Sequence, residues 1–163
     1  MLVGILSGVT MDLTLLTHRL ASIEDLNTIV ELLLDDELGR TREDKSGSVQ
    51  NYIAAFEKII ADSSQELIVT ELHNEIVATL HLTFIQYLTY QGGKRAQIEA
   101  VRVKSSYRGQ GIGVSIMRYA IERARIQHVH LVQLTTDKSR SNTVEFYRSL
   151  GFTDSHIGMK LSL

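Results

Sequence analysis

The stretch Arg108-Gly109-Gln110-Gly111-Ile112-Gly113 constrains this chain more than any other. It follows a strand-like run, Arg95 to Val103. It precedes a run with apolar residues at helical spacing: Ile116, Met117, Ala120, Ile121 and Ala124. A strand that turns through glycines into an amphipathic helix belongs to a layered α/β structure. Glycines let the backbone turn sharply and leave no side chain in the way of a ligand. The first N–H groups of the helix have no intrahelical acceptor and stand at the positive end of its dipole. Such a turn receives a phosphate or pyrophosphate, and Arg108 can add a charged contact. A Walker A loop ends in Gly-Lys-Ser/Thr, whereas Gly113 is followed by Val114. A dinucleotide fingerprint needs G-x-G-x-x-G in an early βαβ unit. Here Gly109, Gly111 and Gly113 alternate, late in the chain. The pattern that remains is Arg/Gln-x-x-Gly-x-Gly, filled by Arg108, Gly111 and Gly113.

The rest of the chain alternates between strand and helix periods. Leu13 to Leu20 reads as a strand. Ser22-Ile23-Glu24-Asp25 reads as a helix start, with Asp25 where a capping box has Glu. Leu26, Ile29, Val30 and Leu33 follow at helical spacing. Asp35 to Gly47 reads as a polar loop. Ser48 caps a second helix with Val49, Tyr52, Ile53, Phe56, Ile59 and Ile60 on one face. Leu67–Leu72 and Ile76–Ile85 form a hairpin across His73-Asn74-Glu75. Gln91-Gly92-Gly93-Lys94 breaks the chain before the strand Arg95–Val103. The third helix spans Gly113 to Gln127, with Arg118, Glu122, Arg123 and Arg125 on its polar face. His130–Thr136 is a strand. Asn142 with Glu145 opens a fourth helix that stops at Gly151, and Phe152 to Leu163 adds one or two closing strands. Hairpins and helical crossovers together imply a mixed α/β sheet with helices on its faces.

These features resemble the GNAT family of acetyltransferases. The Arg108–Gly113 turn is similar to the family's acetyl-CoA pyrophosphate loop, so that Arg108, Gly109, Gln110, Gly111, Ile112 and Gly113 are cofactor-binding candidates. Val101-Arg102-Val103 stands where the family's fourth strand pairs with the pantetheine arm through backbone groups. Phe146-Tyr147-Arg148-Ser149-Leu150-Gly151-Phe152 resembles its closing signature. The agreement is best from Ile98 to Phe152. The resemblance implies one N-acetyltransferase domain over residues 1–163. Its sheet would be mixed, mostly antiparallel, of about six or seven strands with about four flanking helices. It implies acetyl-CoA as co-substrate, no metal, and as acceptor an amine of a small molecule or peptide, with a protein amine as the alternative. A non-catalytic acyl-CoA-binding module is the reading from another class. Family members are commonly dimers, which makes a homodimer an expectation here.

Acetyl transfer needs a base for the ammonium proton, donors for the developing oxyanion and an acid for the leaving thiolate. Glu99, two residues before Val101, is the first candidate for the base, because desolvation on the strand wall would raise its pKa. Asp137, at the end of the next strand, competes with it. Tyr147 is the candidate acid, since a phenol can protonate a thiolate of similar basicity. A backbone N–H of Val101–Val103 is the candidate oxyanion donor. One departure stands out. Where many family members carry Asn seven residues before the tyrosine, this chain has Arg140. Asn142, five residues before, is a weaker carry-over for contact with CoA, and Arg140 is left to a CoA phosphate or the substrate. Glu37, Arg40 and Arg42 lie in the loop that often borders the acceptor pocket in this family.

Composition narrows the classes further. The formal net charge of −2 gives no field that favours nucleic acid or an anionic membrane. With no cysteine there is no disulfide, no thiolate metal site and no cysteine nucleophile for a covalent acetyl-enzyme, which agrees with direct transfer and a reducing, cytoplasmic setting. The histidines, including His18, His73, His81, His128, His130 and His156, lack metal-ligand spacing and read as structural or surface residues. Residues 1–11 read as a loose leader, with Met11 a candidate start, and no run reaches the roughly 18 apolar residues of a membrane span.

Overall fold

The computed structural model describes residues 11–35 and 49–163, and for Ser141 and Asn142 the backbone only. Residues 1–10 of the leader, the Ser48 cap and the candidates Glu37, Arg40 and Arg42 therefore lie outside the described residues, while Met11 packs against the core.

Five strands form one sheet in sequence order: β1 (Leu16–Leu20), β2 (Gln65–Leu72), β3 (Glu75–Gln86), β4 (Lys94–Val103) and β5 (Leu131–Leu134). β1 to β4 pair antiparallel, and β4 pairs with β5 in parallel. The mixed, mostly antiparallel sheet is as expected, but with fewer strands. Among the described residues the longer helices are α1 (Leu26–Leu34), α2 (Val49–Ala61), α3 (Ile112–Ile126) and α4 (Ser141–Ser149).

Each face has its own core. On one face α3 sets Ile112, Ile116, Met117, Ala120 and Ala124 against Leu80, Leu82, Ala96 and Ile98, and α4 adds Phe146 and Tyr147. On the other, α1 and α2 set Leu26, Ile29 and Phe56 against Val69. The α2 stripe is only partly used: Phe56 is buried, but Val49 and Ile60 at its ends are 58% and 56% exposed. Asp25 closes the expected cap, accepting from the Ser22 amide at 2.7 Å. The same carboxylate pairs with Arg19 at 2.6 Å, and Arg19 reaches Glu71 at 2.5 Å, tying α1 to β1 and β2. Arg123 is not on a solvent face: it pairs with the buried Glu66 at 2.6 Å and pins α3 to β2.

The β2–β3 turn carries positive φ at both His73 and Asn74, as two-residue hairpins do. The expected strand Leu13–Leu20 begins with a 3₁₀ turn, Leu13–Leu15. At the other end no strand forms after Phe152. Ile157, Met159 and Leu161 alternate as a strand would but stay 86%, 92% and 86% exposed. A period of two marks a segment able to join a sheet; whether it joins depends on a distant edge, which local pattern does not encode.

β4 holds the feature that builds the site. Thr79 pairs with Arg102 and His81 with Glu99, so Ala100 and Val101 stand opposite Leu80 alone. Ala100 takes φ 52°, rare for a residue with a Cβ. This bulge reverses the alternation of β4. Ala96 and Ile98 before it, and Val101 and Val103 after it, all pack on the α3 face. Glu99 and Arg102 fall on the opposite face, with their partners His81 and Thr79.

Candidate active site

The short β5 leaves part of β4 unpaired on one side. β4 and β5 pair from Arg95↔Leu131 to Ile98↔Leu134 and no further. From Glu99 to Val103 β4 thus has no pairing on the β5 side, where a sheet edge can take an extended ligand. The carbonyls of Val101 and Val103 already accept from Arg102 Nη1 and Arg108 Nε, at 2.9 Å each.

α3 starts at the end of this segment. Its first intrahelical bond runs from Ser115 N to Gly111 O at 3.0 Å, and no side chain caps it. Gly111 is left-handed at φ 89°, and a Cβ there would stand 3.1 Å from Leu13 Cδ1. Gly109 is left-handed too, at 76°, with nothing near its missing Cβ, whereas Gly113 is helical. The turn therefore fits a pyrophosphate: unsatisfied amides, a positive dipole end and no capping side chain. Two side chains of the motif are occupied elsewhere. Arg108 holds Val103 O and the Asp35 backbone and carboxylate, and Gln110 donates to Ser106 O at 3.0 Å. Arg108 thus fastens the end of β4 to the end of α1, and the backbone is left to meet the anion.

Tyr147 and Glu99, the candidate acid and base, stand on α4 and β4. Tyr147, on α4, is half-buried, with edge contacts to Phe146 and Phe152 at 5.1 and 5.9 Å. Burial pushes its phenol above the ordinary value, Arg140 and Arg102 oppose that rise, and Glu99 adds to it. A phenol that stays protonated is suited to donate to a thiolate. Glu99 accepts from Gln97 Nε2 at 2.9 Å and is exposed, so the desolvation expected of a base is not supplied by the chain's own atoms. Opposite it His81 is half-buried with Nε2 unpartnered among the described residues; burial lowers its pKa and Glu99 opposes this.

Asp137 has other work. Its Oδ1 accepts from Ser139 N at 3.0 Å and Ser139 Oγ at 2.8 Å, shaping the turn into α4. Helix α4 begins at Ser141 with Arg140, not Asn142, at the cap position, and the Asn142 side chain lies outside the described set. His18 bridges Thr70 Oγ1 and Ser115 Oγ at 2.9 Å each, joining the sheet to α3. No group of three or more metal-ligand side chains occurs among the described residues, and no helix among them is long and apolar enough to cross a membrane. Arg95, Gln97 and Gln133, on the Glu99 face, were not singled out from sequence; the alternation of Arg95, Gln97 and Glu99 along β4 is the signal that places them there.

The model of the acetyltransferase (GNAT) family matches residues 26–152. The chain belongs to the GNAT family of acetyltransferases. Its enzyme class is therefore N-acetyltransferase, and acetyl-CoA is the family's acetyl donor. A transcriptional regulator from Bacillus halodurans C-125 is 48% identical with TM-score 0.87, over 91% of this chain and 99% of that one. The glucosamine-6-phosphate N-acetyltransferase of Arabidopsis thaliana shares the fold at TM-score 0.77 and 23% identity, over 90% and 97% of the two chains. Among curated proteins, an L-methionine sulfoximine/L-methionine sulfone acetyltransferase of Pseudomonas aeruginosa is 23% identical over 82% of this chain and 78% of its own.

Proposed function

We propose that this GNAT domain transfers an acetyl group directly from acetyl-CoA to a primary amine of a small molecule or peptide, in the cytoplasm. The observation that carries the reading is the uncapped start of α3, with left-handed Gly111 before it, directly after the stretch of β4 that β5 leaves unpaired. The pyrophosphate lies on the amides after Gly111, and the pantetheine arm lies along Val101–Val103. The amine nitrogen attacks the thioester carbonyl, so a C–N bond forms and the C–S bond breaks. The amine proton passes to Glu99, directly or through water. A backbone N–H of Val101–Val103 meets the oxyanion, and Tyr147 gives its proton to the departing sulfur. A small-molecule acceptor is supported by the relatives named for methionine sulfoximine and glucosamine 6-phosphate.

The test is thiol release from acetyl-CoA with a panel of amines. Wild type is expected to turn over at least one. Glu99→Gln is expected to lose about 10²–10⁴-fold in kcat with CoA affinity retained, and to lose the acidic limb of the pH–rate profile. An unchanged profile would remove Glu99 from the base role. The 48%-identical relative named as a transcriptional regulator favours a second reading, a CoA-binding sensory module. Tight CoA binding with no thiol release from any amine would select it.

A further inference from the structure

The hydrogen bonds that begin at Glu99 continue away from the CoA turn. Gln97 Nε2 donates to Glu99 at 2.9 Å, Gln133 Nε2 donates to Gln97 Oε1 at 2.8 Å, and Arg95 Nη1 reaches Gln133 Oε1 at 3.5 Å. Arg95, Gln97 and Glu99 alternate along β4 on the face opposite α3, so one polar row runs from the guanidinium to the carboxylate. The long contact to Gln133 is the sole side-chain hydrogen bond of Arg95 among the described residues, and its buried Nε has no partner there. A guanidinium has five N–H donors, and here they are largely unspent.

The guanidinium is nonetheless held in place. Its carbon lies 5.0 Å from the centre of the Tyr87 ring and 5.2 Å from that of Tyr90. Tyr90 in turn stacks on His130 at 4.7 Å. Gly93 makes room for that stack, since a Cβ there would fall 2.6 Å from His130 Nδ1. Tyr90 and Gln91 adopt left-handed φ of 54° and 58°, a strained turn that the stack accompanies. A planar cation seated beside two tyrosine rings with donors to spare can meet an oxyanion. The anion is not a phosphate of CoA, because Arg95 starts β4 and α3 follows its far end. Arg95 and Glu99 are four residues apart on one face, about 13 Å between Cα atoms at ~3.3 Å per residue, a span that their long side chains can shorten by leaning toward each other.

We propose that Arg95 anchors an oxyanion of the acceptor, a carboxylate or a phosphate, while the acceptor's amine lies at Glu99. The inference rests on the acetyltransferase reading above and names the acceptor class: amines that carry an anionic group. Gln97 and Gln133 line the path between the two ends.

Two matched pairs of probes test it: glucosamine 6-phosphate against glucosamine, and methionine sulfone against its carboxamide. Wild type is expected to favour the anionic member of at least one pair by about 10- to 100-fold in kcat/KM, the scale of a charge-assisted hydrogen bond; the favoured pair tells phosphate from carboxylate. Arg95→Met keeps an apolar stem between the tyrosines and is expected to bring that ratio close to one, mainly through KM, with CoA affinity by calorimetry unchanged. Arg95→Lys keeps the charge without the fork, should retain part of the preference, and serves if the Met variant does not fold. Equal use of both members by wild type, preference for a polycation such as spermidine, or equal losses on both members in the variants would overturn the anchor while leaving acetyl transfer intact. If no amine is acetylated, calorimetry of the same probes with the CoA-loaded protein decides: Arg95-dependent binding of the anionic probe keeps the anchor and sinks the activity, and binding of neither sinks both.

Discussion

Replacing Gly111 by alanine tests the turn that places the acyl carrier. Gly111 sits at φ 89° as the residue before α3, where an L-residue costs about 1–2 kcal/mol. The new Cβ would also stand 3.1 Å from Leu13 Cδ1, so Leu13 must shift by a few tenths of an ångström. Alanine recovers about 0.4–1 kcal/mol by stiffening the unfolded chain. The net loss is about 1 kcal/mol, or roughly 2–4 °C in Tm for a chain of this size. Relaxation of the turn would re-aim the amides after Gly111, and one lost charge-assisted hydrogen bond weakens CoA by about 10-fold or more. Gly113→Ala is the control. Gly113 has helical backbone, and a Cβ there meets Phe146 Cζ at an ordinary 3.4 Å. Helix propensity then predicts a Tm unchanged or raised by a gain of up to ~1 kcal/mol. Thermal unfolding and CoA calorimetry on both variants settle the matter. Unchanged Tm and affinity in Gly111→Ala, or equal damage from Gly113→Ala, would refute the reasoning.

Tyr147→Phe keeps the ring contacts with Phe146 and Phe152 and removes only the hydroxyl. It is expected to lower kcat by about 10²-fold with Tm nearly unchanged, as read by thiol release and thermal unfolding. Asp25→Ala leaves Arg19 with Glu71 and removes the cap on Ser22, and should cost about 1–2 kcal/mol at neutral pH, a fall of roughly 2–8 °C in Tm. Hydrogen bonding to Arg19 holds the Asp25 pKa below its ordinary value. Its contribution is therefore full above the unfolded carboxylate pKa and fades as pH falls through the folded one. Wild type and Asp25→Ala should converge in stability at acid pH, which a pH series of denaturant titrations measures.

Much of this molecule is legible in its sequence because its strongest signals are local. The α3 stripe from Ile116 to Ala124 and the Gly111 turn each encode their own conformation in a few residues. The parts that were not legible depend on partners far along the chain. Arg123 on its own is a polar-face residue, and only the arrival of Glu66 from β2 makes it a buried anchor. Arg108 reads as a phosphate ligand until Asp35 is beside it. The alternation of Ile157, Met159 and Leu161 expresses capacity for a strand, but no paired edge realises it. At the site, Glu99 and Tyr147 are candidates by resemblance. The row through Gln97, Gln133 and Arg95 needs the β4–β5 register, which no single segment specifies.

The extra residue in β4 bears on how such a chain can vary over time. Each side chain there is dealt to one side of the sheet by its odd or even count, and the count changes sense at Ala100. Losing or gaining one residue between Ile98 and Val103 would turn Val101 and Val103 outward and drive Arg102 among apolar neighbours. Spelling in this stretch is thus freer to drift than its length, and a single-codon deletion would strike folding and chemistry together.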